Sequence, residues 1–258
     1  MTANLPNGNT DHLDPDGRLK HTWQRWLNNI LLGGLNIFLV RFLFPVSTIG
    51  IAALVEEHRF GLLNNVSIYP AIEVVLVFII IDLAVYLFHK ALHTYPLLWR
   101  FHLVHHSDLA VDVTTSVRHH IVEALMLAIL IAMLILLLGA PAISIFLYQV
   151  VHFFVSIFSH ANIRLPPSID RILRLTIITP DFHRIHHSVE KRYTNSNYGN
   201  VLTWWDYLFA SYQTRTQDNQ ESMMLGLEYY RSNREQIIDR LITQPFRYPM
   251  IKSVQNSS

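Results

Sequence analysis

The longest apolar runs of the sequence constrain its fold most. Residues 124–140 contain no charged or strongly polar side chain, and residues 142–159 add only Ser, Tyr, Gln and one His to apolar residues. At a rise of about 1.5 Å per residue, a helix over either run crosses most of a hydrocarbon layer of about 30 Å. Two further runs, residues 30–55 and 71–88, carry only isolated charges. We therefore predict an all-α integral membrane protein with about four transmembrane helices. The alternative is a soluble helical bundle with unusually apolar central helices.

The polar composition of both ends divides the chain into three parts. Residues 1–26 form a polar segment without the apolar region and cleavage site of a signal peptide. Residues 27–212 contain the predicted spans and form the membrane domain. Residues 213–258 form a polar tail, which we predict to be peripheral or partly disordered.

A turn at Gly139–Pro141 separates the two most apolar runs, because glycine and proline are poor helix continuers. The chain then crosses the membrane and returns, so His160 reaches the same face as His120. The span over residues 71–88 delivers His89 to that face as well. Eighteen of the twenty Lys and Arg residues fall on it, and the positive-inside rule makes it cytoplasmic.

Cysteine is absent from the sequence, whereas histidine occurs fifteen times. The absence excludes disulfides, iron–sulfur clusters, thiolate-ligated haem and cysteine zinc sites. A metal must therefore bind His, Asp or Glu. The net charge of +1, without a dense basic stripe, gives no indication of nucleic-acid binding.

Eight histidines occur in three tight clusters, each with the spacing of residues that share a helix face. Neutral imidazole binds iron, copper or zinc, and eight such side chains exceed what one ion can use. We therefore predict two metal ions. The alternative of scattered surface or pH-sensing histidines does not explain the clustering. The clusters are His89 and His93; His102, His105 and His106; and His183, His186 and His187.

Isolated histidines near the predicted membrane face are further candidates. His160 ends the returning span and is a candidate ligand, although an interfacial histidine is also possible. His120 precedes the span over residues 124–140 and is a candidate ligand as well, and its neighbour His119 is a weaker one. His152 falls inside a span, where a functional residue and a hydrogen-bonded core histidine are equally plausible.

Four charged residues near the clusters are candidates for hydrogen bonding to ligand imidazoles, which orients the ring of a metal ligand. Asp82 lies seven residues before His89, on nearly the same helix face, although capping or helix pairing would also explain it. Asp181 is better explained as the N-cap of the helix that carries His183. The four candidates are Asp82, Arg118, Glu123 and Asp181.

These motifs, in this order, resemble the fatty acid hydroxylase and sterol desaturase superfamily of integral membrane di-iron proteins. The resemblance covers roughly residues 81–212. Ile121 stands where members often have proline, and Ala210-Ser211 replaces a frequent Gly-Thr. The matching parts are Asp82 with FHKALH at 88–93, LWRFHLVHHS at 98–107, RHH at 118–120 with Glu123, HAN at 160–162, PDFHRIHH at 180–187, NYGN at 197–200 and WDYLF at 205–209.

The resemblance implies a four-span bundle capped by a cytosolic helical domain that holds two iron ions as Fe2+, with zinc as a possible substitute. Members hydroxylate or desaturate sterols, fatty acyl chains, sphingoid bases, carotenoids or alkylglycerol ethers with dioxygen. Electrons would come from a separate ferredoxin- or cytochrome-type donor. The implied ligands are His89, His93, His102, His105, His106, His160, His183, His186 and His187.

A lipid hydroxylase is the leading interpretation, and no residue excludes a desaturase. A zinc-dependent membrane hydrolase is an alternative, for which Glu123 or Asp181 would have to be the base. A metal transporter is less consistent with the sequence, because its ligands would lie near the bilayer midplane, where only His152 and a few isolated charges occur.

Overall fold

The computed structural model describes residues 22–44, 46–214 and 223–255, so residues 1–21 of the predicted polar segment lie outside the described part. Over the described residues the chain is helical and contains no β-strand. The α-helices of these ranges are α1 (Thr22–Leu43), α2 (Thr48–Glu57), α3 (Pro70–Thr94), α4 (Pro96–His106), α5 (Ile121–Leu138), α6 (Ala142–His160), α7 (Pro167–Leu173), α8 (Pro180–His186), α9 (Lys191–Thr194), α10 (Trp204–Leu208) and α11 (Ile238–Gln255).

Four helical segments are long and apolar enough to cross a membrane, which confirms the predicted number of spans. Three of them are α3, α5 and α6, and the fourth is the stretch Thr22–Glu57. The first predicted span, residues 30–55, is not one helix, because α1 ends at Leu43 and α2 begins at Thr48. The Ser47 hydroxyl caps α2 by accepting a hydrogen bond from the Gly50 amide at 3.1 Å. Pro45, which has no amide hydrogen to donate, stands between the two helices in the sequence.

The predicted turn between α5 and α6 is confirmed. Gly139 ends α5 in the left-handed conformation, at φ 73°. Gly61, at φ 100°, packs directly on it, and a Cβ atom there would lie 2.3 Å from the Gly139 amide nitrogen. The Leu62 amide also donates to the Leu137 carbonyl at 3.1 Å. The loop after α2 thus closes the end of the bundle opposite to the histidines.

The bundle has an apolar interior and an apolar exterior. Val77, Ile81 and Ile145 belong to a buried core in which α2 packs against α5 and α6, and α3 packs against α6. Large apolar side chains also face outward, among them Phe42 at 73% and Phe154 at 64% exposure. A soluble bundle would bury such side chains, whereas lipid solvates them.

Part of the segment predicted to be a peripheral or partly disordered tail packs against α4. Leu227, Tyr230 and Leu241 are buried against Leu103 and Val104 of α4. These side chains complete a second core on the outer face of α4, and burial of that apolar area holds the segment in place. The boundary between residues 212 and 213 stays a prediction, but the described residues after Met223 are part of the folded unit.

Candidate metal centre

Four helix ends converge on one face of the bundle and carry all nine of the imidazoles that the family resemblance implied as ligands. α3 supplies two near its C-terminus, α4 supplies three from its last two turns, and α6 supplies its last residue. α8 supplies two, and its C-cap, His187, supplies the ninth. The topology therefore brings together residues nearly one hundred positions apart.

The nine imidazoles form two groups, in each of which one nitrogen per ring lies within 4.8 Å of the others. The first group has five members and the second has four. This division agrees with the prediction of two metal ions. The groups are His89, His93, His102, His106 and His186, and His105, His160, His183 and His187.

The imidazoles of the first group have the orientation that a shared metal ion needs, with one nitrogen of each of several rings directed to a common point. The Nε2 atom of His89 lies 3.1 Å from the Nε2 atoms of both His102 and His186. Its Nδ1 atom lies 2.8 Å from the Tyr198 carbonyl oxygen, and the Nδ1 atom of His186 lies 2.6 Å from the Ser196 carbonyl oxygen. Because a carbonyl only accepts, both Nδ1 atoms carry the proton and both Nε2 atoms present a lone pair. Two lone pairs at this distance repel each other unless they share a cation.

The second group follows the same pattern. The Nε2 atom of His183 lies 3.0 Å from that of His160 and 3.2 Å from that of His187. The Nε2 atoms of His160 and His105 are 3.4 Å apart. The Nδ1 atom of His160 donates to the Ser156 carbonyl at 2.8 Å, so its Nε2 atom also presents a lone pair.

Burial keeps five of the imidazoles outside the membrane spans uncharged. Desolvation lowers the pKa of His105, His106, His183 and His187, and the neighbouring imidazoles add to the effect. Burial also lowers the pKa of His186 to about 3. Neutral imidazole is the form that binds a metal. The donor set is all nitrogen, which suits iron, zinc or copper, and the convergent lone pairs fit an ion in each group.

Glu123 connects the two groups. Its Oε1 atom accepts from the Nδ1 atoms of His102 and His119, both at 2.9 Å. The ring of His119 stacks on that of His105 with centroids 4.5 Å apart and planes 8° from parallel. The structure thus places Glu123 on an imidazole of the first group, as the sequence suggested. It also places His119, a weak candidate by sequence, beside the site, and its spacing of four residues from Glu123 was the available signal.

His120 is the one predicted ligand that the structure does not bring to either group. Its Nδ1 atom accepts from the Val122 amide at 3.2 Å and caps α5, while its Nε2 atom lies 3.2 Å from the Ile242 carbonyl oxygen. Both ring nitrogens are therefore occupied away from the clusters.

Arg118 is fully buried but supports a helix, and it does not contact an imidazole. Its guanidinium donates to the Val104 carbonyl at 2.8 Å and to the Ser107 hydroxyl at 2.6 Å, both at the end of α4. It also donates to the Asn29 side chain at 3.1 Å. Burial lowers its pKa to about 10, so it stays charged near neutral pH. Arg118 therefore fixes the helix that carries three of the imidazoles.

Asp82 contacts the segment that follows the last cluster. Its Oδ2 atom accepts from the indole of Trp205 at 2.8 Å and from the Leu202 amide at 3.1 Å. It makes no hydrogen bond to an imidazole. The segment that it anchors to α3 includes Tyr198, whose carbonyl orients the His89 ring of the first group.

Asp181 does not cap α8. The cap is Thr179, whose hydroxyl accepts from the Phe182 amide, because Pro180 occupies the first helical position. The N-cap interpretation of Asp181 is therefore wrong. Asp181 instead lines a pocket of about 220 Å³ together with Arg184, and burial raises its pKa.

A larger cavity of about 620 Å³ runs from the imidazoles into the membrane-spanning bundle. Its walls are mainly apolar side chains of α1, α2, α3, α5 and α6. Small residues of α5, Ala124, Ala128 and Ala132, face it at a spacing of four. The cavity reaches both histidine groups and meets His89, His102, His105, His160 and His183.

Comparison with known proteins gives a consistent set of matches. The fatty acid hydroxylase family model matches residues 74–211. An ornithine lipid hydroxylase from Rhizobium tropici is 35% identical over 145 residues, 55% of this chain and 42% of its own. A very-long-chain aldehyde decarbonylase from Oryza sativa is 30% identical over 156 residues, 57% of this chain and 25% of its own.

A human alkylglycerol monooxygenase is 25% identical over 152 residues, 59% of this chain and 32% of its own. The chain thus spans less than half the length of these relatives. No solved structure gives a significant match.

Proposed function

The chain belongs to the fatty acid hydroxylase family, and from this premise we propose that it is a dioxygen-dependent membrane lipid hydroxylase with two iron ions. The relatives named as a lipid hydroxylase and a monooxygenase support oxidation of a lipid. Among the family's activities, hydroxylation of an unactivated C–H bond is the proposal, and desaturation is its closest variant.

One observation carries the proposal, namely that an apolar cavity ends on both histidine groups. An alkyl chain bound in the cavity would place a C–H bond beside the imidazoles, with the rest of the chain in apolar surroundings. Burial of methylene groups supplies binding energy of about 0.8 kcal/mol each. The same walls exclude water from the reacting carbon.

The residues of the chain hold and orient the site. The nine imidazoles of the two groups would bind the metals, and bound iron would supply the activation of dioxygen. Three backbone carbonyls fix rings with their Nε2 atoms directed into the groups. The Ser156 carbonyl holds His160, that of Ser196 holds His186, and that of Tyr198 holds His89. Glu123 orients His102 from the cavity side.

The site lies at the ends of the spans, so electrons and lipid can reach it from different sides. A lipid arrives through the bilayer, while a separate ferredoxin- or cytochrome-type donor reaches the histidine face. We propose that this face is cytoplasmic, on the basis of the positive-inside distribution of Lys and Arg.

The other functional classes receive less support. A zinc hydrolase needs a carboxylate base at the metal, but Oε1 of Glu123 accepts from two imidazoles and Asp181 lines a different pocket. A transporter would hold its metals near the bilayer midplane, whereas both groups lie at helix ends on one face.

Lipid analysis of cells tests the proposal. Cells that produce the chain, and cells that produce a His186→Ala variant, are compared by mass spectrometry of total lipids under air and under nitrogen. We expect lipids with one added oxygen only with the unsubstituted chain under air. A loss of two hydrogens would identify a desaturase, and products that form without dioxygen would overturn the proposal.

A further inference from the structure

The cavity opens beside α1. Among the described residues that line it, only four are exposed, and three of them belong to α1 or to the segment between α1 and α2. The four are Ile37, Arg41, Val46 and Val117. Exposed lining residues mark the mouth of a cavity, so the mouth lies where the first span is interrupted.

The mouth extends from the level of the metal centre into the membrane span. The Asn36 amide donates to the His119 carbonyl at 2.7 Å, which places this turn of α1 at the level of the metal centre. Arg41 follows five residues later, about 7.5 Å further into the span at 1.5 Å per residue. At the other end of the break, Thr48 accepts from the Gln149 amide at 2.6 Å, so α2 closes the cavity below this opening.

Among the described residues, Arg41 is the one lysine or arginine that lines this cavity, and its side chain has no ion-pair or hydrogen-bond partner. By contrast, Arg25 of the same helix is paired with Asp108. A charged side chain inside a membrane-spanning segment is costly unless it finds a counter-charge or reaches the interface. An unpaired guanidinium at the mouth of an apolar cavity is therefore available to bind an anion.

We propose that Arg41 binds the anionic group, a phosphate or a carboxylate, of a lipid whose alkyl chain occupies the cavity. The guanidinium presents planar, paired donors that match either group. This inference rests on the proposed function, because it takes the cavity as the substrate site. It adds the substrate class, an anionic lipid, and a residue that selects it.

A structural role for Arg41 has a different consequence. Arginine in the last turn of a helix also complements the helix dipole, and Arg41 lies in the last turn of α1. That role affects the stability of α1, but it gives no discrimination between anionic and neutral lipids. Selectivity at constant chain length therefore separates the two roles.

The test measures lipid binding by native mass spectrometry of the purified full chain under nitrogen, so that no turnover is needed. The probes share one oleoyl chain: oleate, 1-oleoyl-lysophosphatidate and the neutral 1-monooleoylglycerol. We expect at least one anionic probe to bind about fivefold more tightly than the neutral one. Arg41→Gln should remove this preference, and Arg41→Lys should retain most of it.

The control is Arg171→Gln, which removes an exposed arginine of α7 that does not line the cavity. It should keep the full preference. The anionic probe that binds more tightly identifies the recognised group as a carboxylate or a phosphate. Displacement of the bound lipid by excess inorganic phosphate would show that the group is not recognised as part of a lipid. The inference is overturned if Arg41→Gln keeps the preference or if the unsubstituted chain has none. Binding that depends on Arg41 without any lipid oxidation in cells would overturn the proposed function alone.

Discussion

His89 and His186 are 97 positions apart, yet their Nε2 atoms lie 3.1 Å from each other. Each ring donates its Nδ1 proton to a backbone carbonyl, of Tyr198 and Ser196 respectively. The backbone of one segment, residues 196–198, thus orients imidazoles from two helices. Replacement of either imidazole should therefore disturb the first group and leave the second.

His186→Ala should lower the bound metal from about two ions per chain to about one, because the second group keeps its four imidazoles. Elemental analysis of purified protein measures this. His120→Ala is the matched control, since His120 lies outside both groups, and it should retain full metal content. Equal metal loss in the two variants would contradict the assignment of the first group.

Glu123→Gln should weaken metal binding by about 10–100-fold, because the carboxylate that holds His102 and His119 becomes an amide. Competition with a chelator of known affinity measures the change. Glu57→Gln, at an exposed glutamate near the opposite end of the bundle, should leave the affinity unchanged. An unaltered affinity in Glu123→Gln would show that the carboxylate does not tune the site.

The histidine clusters, the spans and the turn at Gly139 were predictable because each is a local pattern in the sequence. The hydrogen-bond partners of Asp82 were not predictable, because its indole donor, Trp205, lies 123 positions away in the sequence. Neither was the packing of Leu241 on Leu103, which depends on tertiary contacts of a segment with polar composition. The position of His119 was predictable only in part. Its four-residue spacing from Glu123 is visible in the sequence, but its stacking on His105, which places it beside the metal centre, is known only from the structure.

Asp82→Ala should destabilise the fold by about 2–4 kcal/mol, because it leaves the Trp205 indole and the Leu202 amide without their buried acceptor. Thermal unfolding in detergent measures the loss. Asp239→Ala removes only an exposed ion pair with Arg234 and should leave the melting temperature nearly unchanged. Similar melting temperatures for the two variants would contradict the anchoring role of Asp82.

The metal-free protein should lose stability as the pH falls below about 6.5, the unfolded value for histidine. Burial lowers the folded-state pKa of His186 to about 3, and it lowers the pKa of His183 well below its usual value. Between these pH values the unfolded chain binds more protons than the folded one, so stability rises with pH by up to about 1.4 kcal/mol per unit for each such histidine. Melting temperatures at pH 7.5 and 5.5 measure the slope, which should be smaller in His186→Asn. An equal slope in both proteins would contradict the prediction.

Ala128→Phe should abolish lipid oxidation while the metal content stays at the level of the unsubstituted chain. Ala128 lines the cavity, and a phenyl ring there would occupy the space that an alkyl chain needs. Ile129→Phe is the matched control, because Ile129 is 43% exposed, does not line the cavity and faces away from it on the same helix. Product formation per bound metal compares the two variants. If Ala128→Phe oxidised lipid as fast as Ile129→Phe, the substrate would reach the imidazoles by a route other than this cavity.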